Sequence, residues 1–373
     1  MPFGDRFVDF RSLGERLFKQ SPSDDAGPRR PGQGTGRRNS RLVDVPSTVR
    51  SFLAVQSYPV LPILTVERTK QRLIDVAADL GGAALGEANQ LAARLVPDLW
   101  PLEWHLPVWL GVGFGLDETV WQQLVHINLL GMAYVRLADD LADAALDEPQ
   151  RAVKNLLGLR LLETSTELLR SLFVVGSPFW RHYEAHLDQW RQAGESEDLW
   201  RDGPRERLVT DWRWLAWRGA PGKITATAAC MLAGRAAAIA PLELCVDHIM
   251  AATVLLDHAD DWQEDLAAGQ FNAYVAWLSG LPQHAENVDR NRRQVLSALM
   301  QGDGDDHHSY FDLIDQHLQR AQQFAGQVGS AGLCAYIEAF RRTAREQSAG
   351  QLAAARKTYQ DALASLVAGF ASV

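Results

Sequence analysis

Asp257, Asp260, Asp261, Glu264 and Asp265 crowd into one short stretch, and Asp139, Asp140 and Asp143 form a second acidic group earlier in the chain. Both follow apolar runs, where an ionised side chain is costly unless something pairs it. No cysteine lies nearby, and His258 is the one close imidazole. A set of hard oxygen ligands suits Mg²⁺, an ion that keeps waters and completes its shell with phosphate oxygens. The chemistry expected of the two groups is therefore metal-assisted handling of a diphosphate.

That chemistry requires helices to aim the carboxylates. Residues turn by about 100° each on a helix, so Asp139 and Asp143 share one face, with Asp140 flanking it. Asp257, Asp261 and Asp265 recur at i, i+4 and i+8, and Asp260 and Glu264 widen the same stripe. Like charges so arranged repel one another unless cations sit among them or water bathes the whole face. A lone acidic pair on a helix is ordinarily a solvated face. Two clusters set in apolar helices are harder to explain that way.

The rest of the chain reads as helix throughout. Of its 373 residues 47% are hydrophobic, which is ample for a large core, and alternating β-branched runs are missing. Helical periodicity predicts elements at 66–80, 84–96, 117–146, 149–174, 178–193, 204–218, 223–239, 242–268, 284–301, 306–328, 331–346 and 349–371. Prolines such as Pro97, Pro107, Pro149 and Pro241 fall between or beside them and read as punctuation. The expected fold is all-α, a single large helical bundle over residues 46–373. Residues 1–20 space Phe3, Phe7, Phe10, Leu13, Leu17 and Phe18 as a short amphipathic helix, and 21–45 have the Pro, Gly and Arg content of a flexible linker.

The net charge of −9 argues against nucleic acid or an anionic membrane as a partner. Cys230, Cys245 and Cys334 are too scattered for a disulfide framework or a thiolate site, which fits a reducing, cytoplasmic setting. The apolar stretch from Ile224 to Leu256 is interrupted by Arg235, Pro241, Glu243 and Asp247, so it reads as buried helices and not as a membrane span. Helical faces beyond the core leave room for a homodimer.

Tyr134-Val-Arg136-Leu-Ala-Asp139-Asp140-Leu-Ala-Asp143 resembles the first aspartate-rich motif of class I isoprenoid (terpene) synthases, in both its DDxxD and RxxDxxxD forms. Asp261-Trp-Gln-Glu264-Asp265, followed by Gly269, resembles the second motif of the squalene and phytoene synthases. Asp257, Asp261 and Asp265 match the spacing of the metal-binding triad of terpene cyclases, with Asp at all three places. Gly222-Lys223-Ile224-Thr225 is similar to the segment whose lysine holds diphosphate in trans-prenyltransferases. The resemblance implies an isoprenoid-synthase bundle around a central cavity. It also implies a prenyl diphosphate substrate and three Mg²⁺ ions held by Asp139, Asp140, Asp143, Asp257, Asp260, Asp261, Glu264 and Asp265. Asp139, Asp143, Asp261 and Lys223 would be catalytic, and Arg136, Arg218 and Lys223 would grip the diphosphate.

Departures from these families narrow the expectation. Gly81-Gly82 runs into Ala83-Ala84-Leu85, and Asp143 into Ala144-Ala145-Leu146, so the basic residues that cradle a second diphosphate in chain-elongating enzymes are missing. Gly269-Gln270-Phe271-Asn272 lacks the basic residue that follows this glycine in condensing synthases. One prenyl diphosphate per turnover is therefore expected, with C20 preferred, ionised to a carbocation and cyclised in a water-poor chamber. Trp104, Trp109, Trp121, Trp180, Trp212, Trp214, Trp217, Trp262 and Phe114 are candidates for its lining. Condensation of two prenyl diphosphates, and a silent helical subunit of a prenyl synthase, are the alternatives.

Overall fold

A computed structural model describes residues 61–97, 100–143, 146–195, 200, 205–283, 287–300 and 304–371; of these, 142–143, 358–359 and 361–371 are described by backbone alone. The N-terminal helix and linker expected over 1–45 lie outside the described residues. Those described form an all-α bundle without a strand. Its helices are α1 (Ile63–Val76), α2 (Gly82–Arg94), α3 (Pro101–Phe114), α4 (Glu118–Asp143), α5 (Glu148–Leu172), α6 (Phe179–Glu195), α7 (Arg207–Thr210), α8 (Arg213–Trp217), α9 (Lys223–Leu232), α10 (Ile239–Asp260), α11 (Trp262–Ala268), α12 (Ala273–Ser279), α13 (Val288–Met300), α14 (Asp305–Val328) and α15 (Ala331–Ala371).

Helices α3 and α4 form a wall shared by two cores. Leu106, Trp109 and Leu110 of α3, with Leu124 of α4, face a larger core filled by α6, α9, α10, α14 and α15. Trp104 and Val108, with Val125 and Leu129, face a smaller one filled by α1, α2 and α5. Each such side chain, fully buried, contributes about 1.5–3 kcal/mol. Gly111 admits the Trp121 side chain against the α3 backbone, and Gly332 of α15 admits that of Trp109.

Helix α3 is the element the sequence conceals. It is buried on all sides, so no amphipathic stripe betrays it, and Pro107 lies in its interior. A proline there provides no N–H for the carbonyl four residues earlier, which is that of Glu103. The Asn128 side chain of α4 fills the gap, its Nδ2 donating to the Glu103 carbonyl at 2.6 Å.

Other boundaries differ from expectation. The stretch 204–218 holds two short helices, α7 and α8, and the helix expected over 223–239 ends at Leu232. Pro149 opens α5 close to its expected place, and Pro241 lies inside the first turn of α10, where a missing N–H costs nothing. The stretch 242–268 is two helices, divided at Asp261. The helices expected at 331–346 and 349–371 are one, because Gly350 is accommodated within α15. Residues 236–260 are long and apolar enough to cross a membrane, but 67% of that stretch's most apolar window is buried in the bundle.

Candidate active site

The relative directions of α4, α9 and α10 decide where the acidic groups lie. Lys223 of α9 meets Asp247 of α10, and Thr227 meets Glu243, so these two helices run antiparallel. Thr225 donates to the Asn128 side chain of α4 at 2.8 Å. Just past the other end of α9, Arg235 lies 4.5 Å over the Phe114 ring, where α3 turns through Gly115 toward α4. Helix α9 is therefore antiparallel to α4 as well. It follows that α4 and α10 run in the same direction and carry both acidic C-terminal ends to one end of the bundle.

The heights agree too. Asp139 lies eleven residues beyond Asn128, and Asp257 ten beyond Asp247. At about 1.5 Å per residue these are climbs of about 16 and 15 Å from neighbouring points on α9.

The second cluster keeps its stripe across the break. The Asp261 amide donates to the Asp257 carbonyl at 2.9 Å, and the Asp265 amide to the Asp261 carbonyl at 3.0 Å, so the one-turn spacing persists through the joint. Asp257, Asp261 and Asp265 are partly buried, whereas Asp260 and Glu264 are exposed. Burial, reinforced by Asp261 and Asp265, pushes the Asp257 carboxyl well above the usual carboxylate range, and the positive charge of Arg218 opposes the shift. Burial also raises the Asp265 carboxyl to about 6, against a hydrogen bond from Asn272 and the charge of Arg218. Arg218 thus stands beside the stripe, just ahead of α9.

Asn272 was not singled out by the sequence reading. Its Nδ2 donates to Asp265 and to the His258 carbonyl, both at 2.8 Å, while its Oδ1 caps α12 by accepting from the Val275 amide. Gln283 brackets its backbone from the other side. An Asn directly before the apolar run 273–278 was the available signal. His258 serves this scaffold: its Nδ1 accepts from the Ala273 amide at 3.0 Å, and burial pulls its pKa down to about 3.

In the first cluster, Asp139 is partly buried, and the Asp143 side chain lies outside the described residues. Asp140 is buried, and its Oδ2 accepts from Lys154 at 2.8 Å; Lys154 also holds Glu87, and Arg94 lies 3.7 Å away. This ion network ties α4 to α2 and α5. Arg136 rests 3.7 Å over the Trp100 ring. Burial lowers its pKa to about 9, opposed by the charges of Asp139 and Glu103.

Lys223 stands apart from this picture. It is 1% exposed, and its Nζ donates to Asp247 at 2.6 Å and to Gln189 at 2.7 Å, so the structure places it in a buried ion pair between α9 and α10. Burial raises the Asp247 carboxyl, opposed by Lys223.

A cavity with about 390 Å³ of atom-free space, part of it open to solvent, lies between α4, α5, α6 and the start of α9. Gly131, Val135, Leu162 and Ile224 give it apolar walls, and Asn128, Thr225 and Tyr183 a few polar points. None of the nine aromatic residues expected to line a chamber borders it. Trp109 stacks on His105, Trp214 on Trp200 and Trp212 on His248, and the two aromatics of the cavity are Tyr134 and Tyr183.

No family model and no curated protein matches the chain.

Proposed function

We propose that this protein is a Mg²⁺-dependent class I terpene synthase. It would ionise one linear prenyl diphosphate, with C20 preferred, cyclise the carbocation and release diphosphate in the cytoplasm. The observation that carries the reading is the parallel course of α4 and α10, which sends both acidic C-terminal ends toward one end of the bundle, with Arg218 beside the second. The donor set fits the ion: oxygen ligands only, in a stripe whose carboxyls repel one another. Asp139, Asp257, Asp261 and Asp265 would hold Mg²⁺, with Asp143 from the first motif and with Asp260 and Glu264 at the solvent edge. Bound there, Mg²⁺ supplies Lewis acidity toward the diphosphate oxygens.

The chain's own residues supply the rest. Arg218 offers a forked set of donors to phosphate oxygens. The hydrogen bond from Asn272 fixes the Asp265 rotamer and favours its ionised form. The apolar walls of the cavity would shield part of the hydrocarbon from water, and Tyr134 and Tyr183 are its aromatic side chains. Asp140 and Lys223, held by partners of their own, serve as supports in this scheme. The three cysteines are free thiols.

The test is incubation of purified protein and Mg²⁺ with C10, C15, C20 and C25 diphosphates one at a time. Release of diphosphate and a cyclic product of unchanged carbon number are expected. A product of doubled carbon number would replace this reading by condensation, and no turnover with any of the four would replace it by a silent subunit.

A further inference from the structure

A second group of metal-ligating side chains lies away from the acidic end. His182 and His186 are one turn apart on α6 and face Glu243, in the first turns of α10. Glu243 precedes Asp257 by fourteen residues, about 21 Å along the helix. The Oε1 of Glu243 lies 3.0 Å from His182 Nδ1 and 3.2 Å from His186 Nε2, and all three ligand atoms fall within 4.8 Å of one another.

Ligand bonds of 2.0–2.2 Å at tetrahedral angles put neighbouring donors about 3.4 Å apart, and the Glu243 oxygen stands close to that distance from both imidazole nitrogens. Thr227 donates to the same Oε1 at 3.0 Å, and its hydroxyl also lies 3.3 Å from His186 Nε2, so it positions both side chains. The His186 ring is 2% exposed and its Nδ1 meets no hydrogen-bond partner, so its bonding is directed through Nε2 into the site. His182 is 36% exposed, which leaves the fourth position open to water. Asp247, one turn further along α10, is neutralised by Lys223.

We propose that His182, His186 and Glu243 form a zinc-type site, separate from the Mg²⁺ site and joining α6 to α10. Two imidazoles and one carboxylate select a borderline ion such as Zn²⁺ or Co²⁺ over Mg²⁺. The site does not depend on the terpene synthase reading.

The test uses the tag-free, metal-stripped full chain, dialysed against Zn²⁺, Co²⁺ or Mg²⁺ without any diphosphate. One Zn²⁺ per chain is expected, with a rise in melting temperature that Mg²⁺ does not reproduce and the visible bands of tetrahedral Co²⁺. His182→Ala and Glu243→Gln, both at partly exposed positions, should fold and weaken zinc binding by at least about tenfold. Asp261→Asn/Asp265→Asn should leave it unchanged. Zinc bound equally well by the wild type, His182→Ala and Glu243→Gln, or not bound by the wild type, would overturn the proposal. So would Co²⁺ bands that vanish only in Asp261→Asn/Asp265→Asn.

Discussion

Asn272 holds the Asp265 carboxylate at 2.8 Å with the same side-chain nitrogen that meets the His258 carbonyl, so one buried amide joins α10, α11 and α12. Replacing it by alanine removes a helix cap and two hydrogen bonds. Asn272→Ala should lose about 2–3 kcal/mol in urea denaturation. It should also move the acid limb of the turnover profile to higher pH, because the bond it removes favours ionised Asp265. An unchanged acid limb would show that Asp265 does not govern it.

Asp265 sits near 6 in the fold against 3.8 for the free group. Between those values the native state holds the extra proton, so metal-free protein loses stability as pH rises from about 4 to about 6, and the penalty is complete above that. Asp265→Asn should therefore stabilise the metal-free protein at pH 7 by about 1–3 kcal/mol, while weakening Mg²⁺ binding measured by calorimetry. Below about pH 4 the two proteins should melt alike.

Arg218 is the positive charge felt by both Asp257 and Asp265. Arg218→Gln should raise KM for a prenyl diphosphate roughly 10- to 100-fold, the worth of one charged hydrogen bond. Inorganic diphosphate, as a product inhibitor, should weaken in step. An intact inhibition constant would place Arg218 outside the anion's reach.

The pairing of Lys223 with Asp247 predicts a structural outcome. Lys223→Met should cost about 3–5 kcal/mol by stranding a buried carboxylate, and Lys223→Met/Asp247→Leu should recover most of it. The double variant should also keep its diphosphate release. Loss of release in a well-folded double variant would return Lys223 to the reacting site.

Gly131 borders the cavity, and a methyl group there would meet no atom within 4 Å. Gly131→Ala should gain about 0.5–1 kcal/mol, the usual penalty of glycine inside a helix. Gly131→Leu should shift kcat/KM from C20 toward C10 diphosphate. Equal effects on both substrates would separate this cavity from the hydrocarbon site.

Helices that show water one face were readable in the sequence because their apolar residues recur in step with the helical turn. Helix α3 was not, since a helix buried all round has no such rhythm, and its proline is excused only by Asn128, a residue on another element. The acidic groups were conspicuous for a related reason: charge in an apolar run is rare enough to stand out one residue at a time. The partners that sort those charges were hidden. Nothing near Asp140 in the sequence points to Glu87 and Lys154, and nothing near Lys223 points to Asp247, because each pairing is made by packing between helices.

The Lys223 and Asp247 pair also works as a register mark. Sliding α9 along α10 by one turn would strand two charges in the apolar centre, a penalty of several kcal/mol for each, whereas a similar slip between purely aliphatic faces would cost far less. The level that Asp257 reaches relative to α9 is thus set about ten residues away, at a contact that does not touch it. Substitutions at that contact would mis-space the two acidic ends without altering a single carboxylate.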